Sequence, residues 1–300
     1  MSRQGTLKRY ALIIDKISNS GSPSFEEIRE HLFEYGFEIS TRTIQRDIEQ
    51  IRTEMGLEIT YDRQLKGYSI DSSSSINIDS IFRLLDISTM VEIMTDNLKQ
   101  FRDLMDFISF ESSASLRGIE NLQTLYSAIR FRRQISFGYA SFESEIRREF
   151  KINPYLLKEY QSRWYLIGTY ADGVDFRTFG LDRMSNLKST DELFTPLLDA
   201  DPNHLFSHVI GLTYSSSQIE EIILSVTPQQ AKYMKSLPIH SSQKVFFESA
   251  DEVRISFKLI PNFELKQQIL MLGPSVKVLK PSWFADEIKQ DLVDTLKKYD

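Results

Sequence analysis

Arg163, Trp164 and Tyr165 stand side by side in SRWYLIGTY, residues 162–170, a stretch that alternates like a strand. Successive strand side chains point to opposite faces, so Trp164 and Leu166 share one face while Arg163, Tyr165 and Ile167 share the other. The first face suits a core. The second pairs a cation with a phenol, which suits a ligand that is both phosphorylated and stackable. Lys151 and Tyr155 upstream, and Arg177 and Arg183 downstream, are the groups that neighbouring strands can bring to Arg163 and Tyr165. Together these six predict an anion site for a nucleotide or single-stranded nucleic acid, where stacking contributes roughly 1–3 kcal/mol per base. The competing expectation is that Arg163 and Arg183 bridge to Asp182 or Glu159 and only pin the strands together. Charge distribution favours the first reading. The whole chain has 36 Lys+Arg against 42 Asp+Glu, yet residues 131–189 carry 10 against 7.

A second group of residues could read nucleic acid. In STRTIQRDIEQIRTEMG the positions Ile44, Ile48, Ile51 and Met55 fall on one helical stripe, with Arg42, Arg46, Glu49, Gln50 and Thr53 opposite and Thr41 and Gln45 on the flank. An α-helix fits the DNA major groove, and Arg or Gln near its start can bridge guanine or adenine edges. Thr41, Arg42, Thr43, Gln45 and Arg46 are therefore the expected contacts of a double-stranded DNA operator, with Arg63 and Lys66 added by a following hairpin. Asp47, Glu49 and Glu54 are expected to weaken general phosphate attraction, so that specific contacts and the spacing of two copies matter more than bulk charge.

Other chemistries find little support. Cysteine is absent, which removes disulfides, thiolate nucleophiles and thiolate metal sites. His204 and His208 have the spacing of a helical metal pair, but HLFSH lacks the acid of a hydrolytic zinc helix and no third ligand is evident, so no metal is expected. Neither a glycine-rich phosphate loop nor a nucleophile elbow is present, and no catalysis and no cofactor are expected. No apolar run approaches the roughly 18 residues that span a bilayer, and the N-terminus does not read as a signal peptide. The expectation is a cytoplasmic protein with no membrane partner.

The elements that must position these residues follow from periodicity. Residues 6–18 and then FEEIREHLFEYG, opened by a capping box at Ser24 and Glu27, read as helices. The TRTIQRD helix and LEITYDRQLKGYSI, a hairpin, complete a winged helix-turn-helix over residues 1–71. SSSS at 72–75 reads as a joint, and 72–130 as a helical linker with a broad apolar stripe. Short aromatic and β-branched runs over 131–190 predict a small β-barrel. A connecting loop at 191–218 leads to 219–300, ordered strand-helix-strand-strand-helix-strand and closed by a helix, the split βαβ order of a ferredoxin-like α/β sandwich. The fold class expected is multidomain α+β.

STRTIQRDI and the LKGY wing, together with NPYLLKEYQSRWYLIGTY and FRTFGLDRM, resemble the WYL-domain transcriptional regulators. The resemblance extends through residues 219–300, which are similar to the C-terminal extension of that family. It implies an N-terminal winged helix, a helical linker, a five-stranded Sm-like (SH3-type) barrel that senses a ligand, and a homodimer. An alternative from another class is a constitutive protein- or RNA-interaction module that uses the winged helix and barrel as docking surfaces.

Overall fold

Ser24 and Ser40 set the starts of two helices. Each has an extended backbone and accepts a hydrogen bond from the amide three residues on, Glu27 and Thr43 respectively, and at Ser24 the Glu27 carboxylate answers on the serine amide, completing the capping box. These caps belong to a computed structural model of the chain, which describes residues 3–71, 81, 83, 118–140, 148–197, 204, 206–214 and 218–299. The chain divides into two units, Met1–Glu111 and Ser112–Asp300. The expected joint at 72–75 and most of the expected helical linker lie outside the described residues.

In the first unit, α1 (Arg3–Asn19), α2 (Phe25–Glu34) and α3 (Thr41–Met55) precede an antiparallel hairpin of β1 (Ile59–Asp62) and β2 (Gly67–Ile70). Gly56, at φ 68°, ends α3 in the left-handed conformation that a β-carbon disfavours. Ile13 and Ile14 of α1, Ile28 and Leu32 of α2, and Ile44, Ile48 and Ile51 of α3 share one core, against which Met55 packs from its edge. The hairpin is tied down near its turn, where the Tyr68 amide donates to the Pro23 carbonyl at 2.8 Å.

The second unit begins with a 3-10 turn (Ile119–Asn121) and α4 (Leu122–Arg130). Five antiparallel strands follow: β3 (Arg133–Tyr139), β4 (Arg148–Tyr160), β5 (Arg163–Tyr170), β6 (Phe176–Gly180) and β7 (Met184–Leu193), in spatial order β6-β5-β4-β3-β7. β6 and β7 occupy opposite edges, yet only the 3-10 turn Leu181–Arg183 joins them. Four strand spacings of about 4.8 Å would part the edges of a flat sheet by about 19 Å. A turn rising about 2 Å per residue reaches roughly half of that. The sheet must therefore curl strongly around Leu125, Ile135, Phe137, Ile152, Leu166 and Phe179, its common core. Among the described residues β6 and β7 do not pair, so the barrel expected from the sequence is a curled sheet that stops short of closing.

Residues 218–299 hold β8 (Glu220–Val226), α5 (Pro228–Ser236), β9 (Lys244–Glu248), β10 (Val253–Leu259), α6 (Phe263–Met271), β11 (Val276–Lys280) and α7 (Ser282–Leu296). The strands form a second antiparallel sheet in order β11-β8-β10-β9. Alternation sends Ile222, Leu224, Val226, Val253, Ile255, Phe257 and Val278 to one face, where they pack with Ala231 and Met234 of α5, Leu265 and Ile269 of α6, and Phe284 and Ile288 of α7. All three helices thus cover the same face.

Candidate functional site

The start of α3 presents Thr41, Arg42, Gln45 and Arg46 to solvent, with Thr43 half-buried. Arg63 and Lys66 are exposed in the turn between β1 and β2, which Asp62 shapes by accepting from the amides of Gln64 (2.7 Å) and Leu65 (3.1 Å). Lys66 itself holds a left-handed backbone, φ 52°.

Asp47 departs from expectation. It is completely buried, and it accepts from Arg9, 3% exposed, through Nε at 2.7 Å and Nη2 at 3.3 Å. A charge that was expected to oppose phosphate is instead neutralised inside the unit, leaving Glu49 and Glu54 as the exposed acids of this helix. Asp47 lies three residues after Ile44 and four before Ile51, on the buried stripe. That spacing was the available signal. Nothing local pointed to Arg9 as its partner, 38 residues away. A second tie joins the same helices, with the Tyr10 hydroxyl donating to Gln50 Oε1 at 2.7 Å.

In the curled sheet, the six expected ligand residues fall into two groups. Arg163, Tyr165 and Arg183 come together around Asp182. Arg163 Nη1 lies 4.0 Å from Asp182 Oδ2, and Tyr165 is registered opposite Gly180 on β6. A β-carbon on Gly180 would come within 2.7 Å of the Asp182 carboxylate and 3.3 Å of Arg183 Nε, so the missing side chain is what lets these groups converge. Arg183 lies over the Tyr139 ring at 4.7 Å, and the Tyr139 hydroxyl accepts from the Gly180 amide at 3.0 Å. Burial raises the Tyr139 phenol above its ordinary pKa, against the opposing pull of the Gly180 amide and Arg183.

Lys151, Tyr155 and Arg177 lie elsewhere. Lys151 sits beyond the far end of β5, where the Ala171 amide donates to its carbonyl, and its ammonium is 3.5 Å from Glu192. Tyr160, opposite Arg163, is nine residues further along β4, about 30 Å of strand. Tyr155 is the extra residue of a bulge between Pro154 and Leu156, its ring set between Phe176 (5.1 Å) and Phe194 (5.2 Å) and its hydroxyl accepting from the Leu197 amide. Arg177 is exposed opposite Gly168, on the face that alternation gives to Leu166 rather than to Tyr165.

Sequence reasoning missed Lys158 and Glu264. Lys158 is directly opposite Tyr165 on the same face, and its ammonium lies over the Phe206 ring at 5.3 Å. Burial lowers its pKa, with Glu264 pulling the other way. Glu264 is 6% exposed, and its Oε1 accepts from the Leu212 amide and from the amide and hydroxyl of Thr213. Phe206 and Val209 cover Ile167 on this side, together with Ile260, so the outward face of β5 is half covered by segments distant in sequence. The His204 and His208 rings meet edge to face at 5.9 Å, and the described residues contain no cluster of His, Cys, Asp and Glu able to hold a metal. No helix of the described residues is long and apolar enough to cross a membrane.

Comparison with protein families matches residues 120–189 to the WYL domain and residues 218–296 to the WCX domain. Among solved structures, the chain is similar to proteasome accessory factor B/C (PafBC) of Arthrobacter aurescens at 16% identity and a TM-score of 0.31, over 96% of this chain and 46% of that one. The chain thus spans under half of that protein. It is also similar to a CRISPR Cas-related protein at 14% identity and a TM-score of 0.42, over 99% of this chain and 85% of the other. Likenesses of this strength establish neither fold nor function for the chain.

Proposed function

We propose that the chain is a DNA-binding transcriptional regulator, non-catalytic and dimeric, whose WYL region senses an anionic ligand. WYL domains are typical of transcriptional regulators, which supports the regulatory role. In this reading residues 1–71 act as a winged helix-turn-helix, the curled sheet as an Sm-like sensor and residues 219–300 as a ferredoxin-like support, in the cytoplasm. The observation that carries the reading is the start of α3, where Thr41, Arg42, Gln45 and Arg46 are exposed while the helix's central acid is neutralised by Arg9. Such a helix end offers a major groove cations and an amide, with the exposed acids Glu49 and Glu54 further along the helix.

The sensing half rests on Arg163, in ion-pair contact with Asp182, and on Arg183, which lies over the Tyr139 ring close by. An exposed ion pair at 4.0 Å stabilises little. A phosphate could displace Asp182 from Arg163 at small cost while a planar ring meets Tyr165.

Gel shift against DNA upstream of the gene, with and without nucleoside triphosphates or oligothymidylate, tests both halves. Arg42→Ala with Arg46→Ala should abolish a discrete complex that wild type forms. Arg163→Ala with Arg183→Ala should keep the complex and lose its response to the added ligand. An unchanged shift in the first variant would remove the DNA-reading assignment and leave α3 as a docking surface. A wild-type complex indifferent to every added ligand would remove the sensing half.

A further inference from the structure

Among the described residues, no helix covers the second face of the four-stranded sheet of residues 218–299. Its residues form cross-strand rungs. Lys277, Ser225, Arg254 and Phe247 stand in register across β11, β8, β10 and β9, and Lys280, Ile223, Ser256 and Lys244 repeat the row. Glu221 and Lys258 pair in a third. None of these residues enters a core cluster, and each is exposed or half-buried.

The chemistry of this face is specific. Lys244, Arg254, Lys258, Lys277 and Lys280 set five cations against the carboxylates of Glu221 and Glu252, in a chain whose net charge is −6. Phe247, 42% exposed, offers an aromatic ring beside them, already faced by the Arg254 guanidinium at 5.0 Å. Hydroxyls at Ser225 and Ser256 lie between the cations. The first row already holds an anion. Glu252 reaches in from the turn before β10 and takes both Arg254 Nε (2.9 Å) and Nη2 (3.1 Å). The Arg254 bond, then the Ser225 hydroxyl and the nearby Lys277, hold its carboxyl below the usual carboxylate range. An oxyanion seated on an arginine fork and a serine hydroxyl shows how a phosphodiester would be received there.

We infer that this open face of the C-terminal sheet binds single-stranded nucleic acid, with Phe247 stacking a base and Lys277, Arg254, Lys280 and Lys244 holding the backbone. Single strands suit it better than a duplex, because a ring lying on a sheet needs an unpaired base to stack against. Rows of cations about 7 Å apart along the strands follow a backbone. The site is separate from the Arg163 cluster in the curled sheet, which lies on different strands of a different sheet.

Fluorescence anisotropy of labelled dT12 with the full chain at low salt tests this. Wild type should bind, and the affinity should fall steeply as salt rises. Lys277→Glu with Lys280→Glu, both exposed positions, should weaken binding at least tenfold, and Phe247→Ala, which keeps every charge, severalfold. Glu252→Gln should strengthen it. Arg163→Ala with Arg183→Ala should leave a wild-type fraction of dT12 binding that these sheet variants remove, which separates the two sites. Binding that is unchanged in both Lys277→Glu/Lys280→Glu and Phe247→Ala overturns the proposal. So does equal competition by a twelve-residue glutamate peptide, which would make the face a general acceptor of acidic chains.

Discussion

Arg9 and Asp47 are buried so completely that neither can be hydrated if the other is lost. A buried pair of this kind contributes modestly as a pair, because removing two charges from water costs about as much as their attraction returns. Half a pair is far worse. Asp47→Ala should therefore destabilise the first unit by about 3–5 kcal/mol, leaving a guanidinium whose other acceptor is the Gly5 carbonyl at 3.3 Å. Arg9→Met with Asp47→Leu should recover most of that. Urea unfolding of the three proteins, followed by a probe in residues 1–71, reads the difference. If Asp47→Ala unfolds at the wild-type midpoint, the pair does not fix α1 against α3.

At the scale of elements, the hairpin depends on one close approach. A β-carbon on Gly67 would stand 1.9 Å from the Ser22 carbonyl oxygen and 2.6 Å from its carbon, so the side chain cannot be fitted by turning a neighbour's rotamer. Gly67→Ala must move β2 off the loop between α1 and α2, at a cost of about 1–3 kcal/mol. The Tyr68 amide, which donates to Pro23, should then exchange its hydrogen with solvent faster than in wild type while the amides inside α3 stay protected. Unaltered protection at Tyr68 would mean the loop yields instead. Such elements were legible where their causes are local. The Ser24–Glu27 capping box, the Ile44–Ile48–Ile51 stripe and the alternation of residues 163–170 each lie within a few positions of one another. What escaped the sequence lies between segments. Nothing near Asp47 indicates Arg9, nothing near Ile167 indicates that Phe206 and Ile260 will cover it, and nothing near Tyr155 indicates that a bulge at Pro154 will set its ring between Phe176 and Phe194.

In the second unit the two sheets meet through a small core of Ile167, Phe206, Val209 and Ile260, and Lys158 and Glu264 stand beside it. The Lys158 ammonium is held partly out of water, with no carboxylate of the described residues in ion-pair contact, and burial outweighs the attraction of Glu264, so its pKa lies below the ordinary lysine value of 10.5. The sign follows from proton counting. Between the lowered value and 10.5 the unfolded chain binds more protons than the folded one, so stability rises with pH across that window. Below the window the folded chain carries the whole cost of the desolvated cation. Lys158→Met should thus raise the melting temperature of this unit at pH 7 by about 2–4 °C, the equivalent of roughly 1 kcal/mol, with partial exposure keeping the gain at the low end for a buried charge. The gain should shrink as pH rises through the window and vanish only above 10.5, where wild-type lysine is neutral in both states. Calorimetry at pH 7 and pH 10 distinguishes this from the opposite balance, in which the cation's contacts with Phe206 and Glu264 dominate and the methionine variant melts lower at pH 7. A cation kept opposite Tyr165 at a cost in stability is what a group retained for binding would show, because selection for folding alone would replace it.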